Sequence, residues 1–266
     1  MKKRNIIWDI LYPSVFMLLA VFAVTIIVSV IAALITGENN MDSSTMRQVP
    51  LIASAAFYVF AVISQRKQFL LDEMRFGADR KAVNPAVPAT AVPAAMALAD
   101  LFECLIAKLG LYELFPQYES VAVQTFQNQN IVLLLLTTAV LAPVAEEMMF
   151  RGMTYRRARH WIGQKKAVIL SAFLFGLYHM NGVQFVYAML LGIFLAWLYE
   201  HSETLIVPIV CHGAANVWEI VLEYGIDQPQ RLVGNQRAVL LAAEAVLAVF
   251  LIGYLFRLFH KTTSQK

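Results

Sequence analysis

The sequence predicts an all-α fold, a polytopic membrane bundle of about eight transmembrane helices with its functional site inside the bundle. Three observations predict it. The chain has 266 residues, of which 59% are hydrophobic, and its mean hydropathy is +0.62. That is more apolar surface than a globular core of this size can hide. Charged residues make up only 15% and fall mainly between long apolar runs. No repeat of fixed period breaks the chain, so residues 1–266 read as one integral membrane domain. The net charge of +3 is too modest to argue for nucleic acid as a partner. The two cysteines, Cys104 and Cys211, both sit in apolar segments, so no disulfide framework is expected.

The chain opens Met1-Lys2-Lys3-Arg4 and enters an apolar run over 13–36. That run is too long for a signal-peptide core and no clear small-residue cleavage site follows, so it reads as a retained first span. A polar turn leads to a second span over 49–64. After it, Phe69, Leu70, Met74 and Phe76 alternate with charges in a manner suited to a helix lying on the membrane surface. The third span, 85–111, carries Pro88 and Pro93, which membrane helices tolerate. Its acids, Asp100 and Glu103, are read as marking the approach to an interface, with a buried polar site as the alternative.

A loop rich in Gln and Asn precedes the fourth span, which starts at Ile131 and continues as a helix through Arg151 into the basic stretch Arg156-Arg157-Ala158-Arg159. Spans over 167–180, 183–199, 205–222 and 238–259 complete the eight. An even number puts both termini on one side. Only Arg47, Lys108, Arg231 and Arg237 of all the Lys and Arg fall towards the other side, so both termini are expected to be cytoplasmic. The basic segments 66–81 and 151–166 are expected to meet anionic lipid.

The organising stretch is Ala142-Pro143-Val144-Ala145-Glu146-Glu147-Met148-Met149-Phe150-Arg151, two adjacent carboxylates and an arginine at the end of an apolar run. Neighbouring helix residues point about 100° apart, whereas residues four apart share a face. Glu147 and Arg151 therefore form an ion pair and Glu146 is left to face something else. The alternative is that both acids cap or pair at the membrane surface. Phe175 and His179 are also at i,i+4, so the ring can pack on the imidazole. His212 and Asn216 repeat the spacing with small residues between them. Two histidines, an asparagine and a free glutamate on three helices imply one polar pocket, because each alone leaves unsatisfied groups in hydrocarbon. A carboxylate with an imidazole can take a proton from water, and an imidazole with a carboxamide can donate to an oxyanion. That suffices for amide hydrolysis without a covalent intermediate. No Gly-x-Ser-x-Gly, His-Glu-x-x-His or phosphate-loop pattern offers other chemistry.

Glu146-Glu147-x-x-x-Arg151, Phe175-x-x-x-His179 and His212-x-x-x-Asn216, in that order on successive helices, resemble the three motifs of the CPBP family. These are the CAAX proteases and bacteriocin-processing proteins, also called Abi, related to the Ras-converting CAAX endopeptidase. The core carrying the motifs covers 141–218. The resemblance implies a glutamic-type intramembrane endopeptidase in which Glu146 and His179 activate water and His212 and Asn216 form the oxyanion hole. Glu147, Arg151 and Phe175 are supporting residues. It implies no cofactor. The alternative is zinc on Glu146, His179 and His212, a two-histidine, one-carboxylate site that leaves Asn216 without a role. Expected substrates are prenylated peptides, leader peptides or other protein segments, and the expected location is a bacterial plasma membrane. Two other classes stay open: a non-catalytic bacteriocin-immunity or partner-binding protein on the same scaffold, and a proton-coupled transporter using Asp100, Glu103, Glu146 and Glu244.

Overall fold

The computed structural model describes residues 5–36, 43–77, 82–118, 120, 129–225 and 235–263. Among them there is no strand. The helices are α1 (Ile6–Thr36), α2 (Ser43–Phe76), α3 (Ala86–Lys108), a single turn α4 (Leu111–Leu114), α5 (Ile131–Ile162), α6 (Gln164–Tyr178), α7 (Gly182–Ser202), α8 (Ile206–Gly225) and α9 (Asn235–Thr263). The chain is thus an all-α membrane bundle. By length and composition, α1, α2, α3, α5, α7 and α9 contain segments able to cross a membrane, and α8 contains a shorter apolar helix, Ile206–Leu222. Helix α6, with 15 residues, spans only about 22 Å at 1.5 Å per residue, short of a hydrocarbon core of ~30 Å. It ends in a tight turn, where Asn181 caps α7 by accepting from the backbone N–H groups of Val183 and Gln184.

Two cores hold the bundle. One joins Phe57 and Ala61 of α2 with Met17 of α1, Met149, Phe150 and Met153 of α5, and Phe175 of α6. The other joins Ala91 and Ala95 of α3 with Leu191 and Leu195 of α7, Cys211 and Ala215 of α8, and Leu255 of α9. Helix α5 packs on α1, α2, α6 and α8, whereas α3 packs on α7, α8 and α9. The seam between the cores is where a cavity forms. Cys211 is fully buried in the second core, away from that cavity.

One expectation fails here and another is narrowed. The segment after the second span does not form a separate surface helix, because α2 runs unbroken to Phe76. Two of its polar residues are buried and paired within the protein: Gln65 accepts from the Tyr12 hydroxyl at 2.8 Å, and Asp72 meets Arg157 at 2.6 Å. The basic stretch is also not wholly free for lipid. Arg151, Arg156 and Arg157 are buried, and Arg157 additionally donates to the Asp9 carbonyl, tying α1 and α2 to α5. Arg66, Lys67, Arg75, Arg159, Lys165 and Lys166 remain exposed.

Candidate active site

Helix α5 is not regular. Residues Leu135–Leu141 and Met148–Tyr155 are π-helical, on either side of an α-helical turn, Ala142–Glu147. Proline explains the first widening. Pro143 has no N–H to offer the carbonyls at i−4 or i−5, and in a regular helix its ring would strike the carbonyl at i−4. Those two carbonyls belong to Ala139 and Thr138, and α8 docks on both. Asn216 Nδ2 donates to the Thr138 carbonyl at 2.7 Å. Gly213 lies so close to the Ala139 carbonyl that a Cβ there would stand 2.5 Å from its oxygen. Gly213→Ala is therefore expected to push α8 off α5 and cost about 1–3 kcal/mol, the usual scale of overpacking. The check is a lowered unfolding temperature in detergent.

This docking brings the polar side chains together. Glu147 is fully buried, and its Oε1 accepts from Arg151 Nη1 at 2.7 Å. The same oxygen lies 2.9 Å from His212 Nδ1. A carboxylate bonded to arginine accepts and does not donate, so His212 carries its proton on Nδ1 and turns Nε2 elsewhere. That nitrogen stands 3.7 Å from Glu146 Oε2. Arg151 is fixed twice more: Nη2 donates to the Gly192 carbonyl at 3.0 Å, and the guanidinium lies 4.6 Å from the centre of the Phe175 ring. Gly192 leaves room for this, since a Cβ there would come within 3.2 Å of Arg151 Nη2 and of Phe175.

Phe175 organises the histidines. Its ring meets His179 edge-on at 5.1 Å and His212 edge-on at 5.6 Å. His179 follows the last residue of α6, and its Nδ1 lies 2.9 Å from the Phe175 carbonyl. The carbonyl accepts, so His179 also keeps its proton on Nδ1 and has Nε2 available as an acceptor. The short α6 thus carries His179 to the depth of Glu146 and His212.

Glu146, His179, His212 and Asn216 line one cavity of about 230 Å³ at the seam of the two cores. Glu147 and Arg151 stand behind it. Sequence reasoning missed several of its walls. Tyr58 of α2 donates to Glu146 Oε1 at 3.0 Å, yet a tyrosine in a span reads first as an interface anchor. Glu103, expected at an interface, lines the cavity and accepts from the Tyr112 hydroxyl, while Asp100 is buried. Gln184, Tyr187 and Glu219 complete that polar end. Among the described residues no three His, Cys, Asp or Glu side chains are placed to hold a metal ion. As they stand, Glu146, His179 and His212 therefore do not form the two-histidine, one-carboxylate group of a zinc site.

Residues 128–218 match the family described as Rce1-like, type II CAAX prenyl endopeptidase Rce1-like. Comparison with curated proteins and with solved structures found no match.

Proposed function

We propose that this chain, whose residues 128–218 match the Rce1-like family of CAAX-type endopeptidases, hydrolyses peptide bonds near or within the membrane by a metal-free mechanism. The observation that carries the reading is the convergence of Glu146, His179, His212 and Asn216 on one cavity. At about 230 Å³ it is smaller than most ligand pockets, ~300–1,000 Å³. An extended peptide segment fits such a space better than a folded domain does.

In this mechanism water sits between Glu146 Oε2 and His179 Nε2 and gives up a proton to Glu146 Oε2 as its oxygen attacks the scissile carbonyl carbon. The carbonyl becomes an oxyanion, held by the second amide hydrogen of Asn216, whose first is engaged on Thr138. His212 has a lone pair at Nε2 while Nδ1–H is held by Glu147, so it donates there only after taking up a proton. Glu146 Oε2, 3.7 Å away, is the nearest source of one. Protonated His212 then stabilises the oxyanion. As the C–N bond breaks, the proton passes to the leaving amine and the acyl fragment departs as a carboxylic acid. Glu147 and Arg151 hold His212 in the required tautomer.

The substrate proposed is a peptide or protein segment, prenylated or a leader sequence. Exposed Arg66, Lys67, Arg75, Arg159, Lys165 and Lys166 form the surface proposed to meet anionic lipid. The Lys and Arg bias supports an orientation with both termini cytoplasmic, and the membrane proposed is the plasma membrane.

The test is cleavage of a fluorogenic library of prenylated and unprenylated peptides by the purified protein in detergent, with and without a chelator. Asn216→Ala is expected to lower kcat about a hundredfold to a thousandfold, the loss typical of one oxyanion donor. The chelator should change nothing. Chelator inhibition reversed by zinc would replace the metal-free mechanism. No cleavage of any peptide would favour the non-catalytic alternative.

A further inference from the structure

The family match begins at residue 128, but the carboxylate at the centre of the site is held by a residue seventy positions earlier. We propose that Tyr58 of α2 is a positioning residue for Glu146, fixing which carboxylate oxygen takes the proton. This rests on the endopeptidase reading above.

Three residues of α2, Leu51, Ser54 and Tyr58, line the cavity. Their spacing of three and four puts them on one helix face. The neighbouring Phe57 is fully buried in the core that joins α1, α2, α5 and α6, which fixes the rotation of α2 about its axis. Tyr58, about 100° further round, is thereby aimed at α5. Its hydroxyl donates to Glu146 Oε1 at 3.0 Å, and Tyr178 of α6 stands beside the same pair. Oε1 is thus occupied by the phenol. Oε2 is the oxygen that faces His212 Nε2.

The consequence is geometric. A free glutamate side chain at a cavity wall rotates about its terminal bond and presents either oxygen. The phenol removes that freedom. The carboxylate plane is then set by one contact from α2 and one from α8, and the basic oxygen lies where proton transfer to His212 is shortest. Because the hydroxyl is engaged on Glu146, its loss is expected to act on turnover and not on substrate affinity.

Two measurements on Tyr58→Phe test this. The first is steady-state cleavage, for which kcat should fall roughly tenfold to a hundredfold, the scale of misplacing a reacting group by about an ångström. KM and the unfolding temperature should stay as in the wild type. The second is the infrared carboxyl band of Glu146, identified by its disappearance in Glu146→Gln, which should shift in Tyr58→Phe. Replacing Tyr58 with 3-fluorotyrosine keeps the ring and makes the phenol a stronger donor, so the band should move the opposite way. This substitution also covers the case in which Tyr58→Phe does not fold. An unmoved band in both variants overturns the proposal, as does lost activity with raised KM and an unmoved band, which would make Tyr58 a wall residue. Because the band is read without turnover, a wild type that cleaves nothing but shows the shift would remove the endopeptidase reading and leave the Tyr58–Glu146 contact standing.

Discussion

Glu146→Gln is expected to reduce peptide cleavage by about a hundredfold to ten-thousandfold, the range general acid–base groups contribute, with little change in folding. The substitution is nearly isosteric. Its amide oxygen can still accept from Tyr58, so the contact at 3.0 Å survives, and the side chain remains at the wall of the same cavity. What it loses is the ability to take a proton. The amide also has nothing to pass to His212 Nε2, so oxyanion stabilisation by that imidazole fails with it. Single-turnover rates together with thermal unfolding in detergent would check this. Full cleavage by the folded variant would move the base to another residue, His179 first.

The parts of this site legible in the sequence are those fixed by local geometry. Glu147 and Arg151 meet because four residues of helix bring them together, and Phe175 meets His179 for the same reason. Six of the eight expected spans are legible because hydropathy needs only one dimension, but the run over 167–180 forms the short α6 and that over 205–222 a shorter apolar helix, neither among the segments long enough to cross. What lies between helices is not. Nothing in the spacing of Glu147 and His212, 65 residues apart, announces their bond. It depends on how closely α8 approaches α5, which is set jointly by Pro143 and Gly213. Pro143 is visible in the sequence, but its effect, a widened turn whose Thr138 carbonyl is taken by Asn216, is legible only once the partner helix is in place. Asp72 and Gln65 mislead for a related reason. Polar residues after a span read as solvent- or lipid-facing until a partner is known, and here the partners, Arg157 and Tyr12, come from two other helices.

The largest effect on stability is expected at Arg151. The side chain is fully buried, and Arg151→Ala removes an ion pair of 2.7 Å, a bond to the Gly192 carbonyl and the stacking on Phe175. It also leaves the Glu147 carboxylate in the interior facing only His212. Breaking a buried pair from one side costs about 3–5 kcal/mol, because the surviving charge is uncompensated. Arg151→Ala should therefore unfold at a much lower temperature in detergent, or fail to accumulate. Removing both charges separates two roles of the pair. Replacing a buried ion pair by neutral groups of similar volume is often harmless, so Glu147→Gln combined with Arg151→Met should recover most of the lost stability. It should not recover turnover, because a neutral amide is a weaker acceptor than a carboxylate and no longer commits His212 to carrying its proton on Nδ1. If the double variant regained both, the pair would serve only the fold. Recovery of stability alone would mean that the charge behind the cavity is retained for the imidazole it orients.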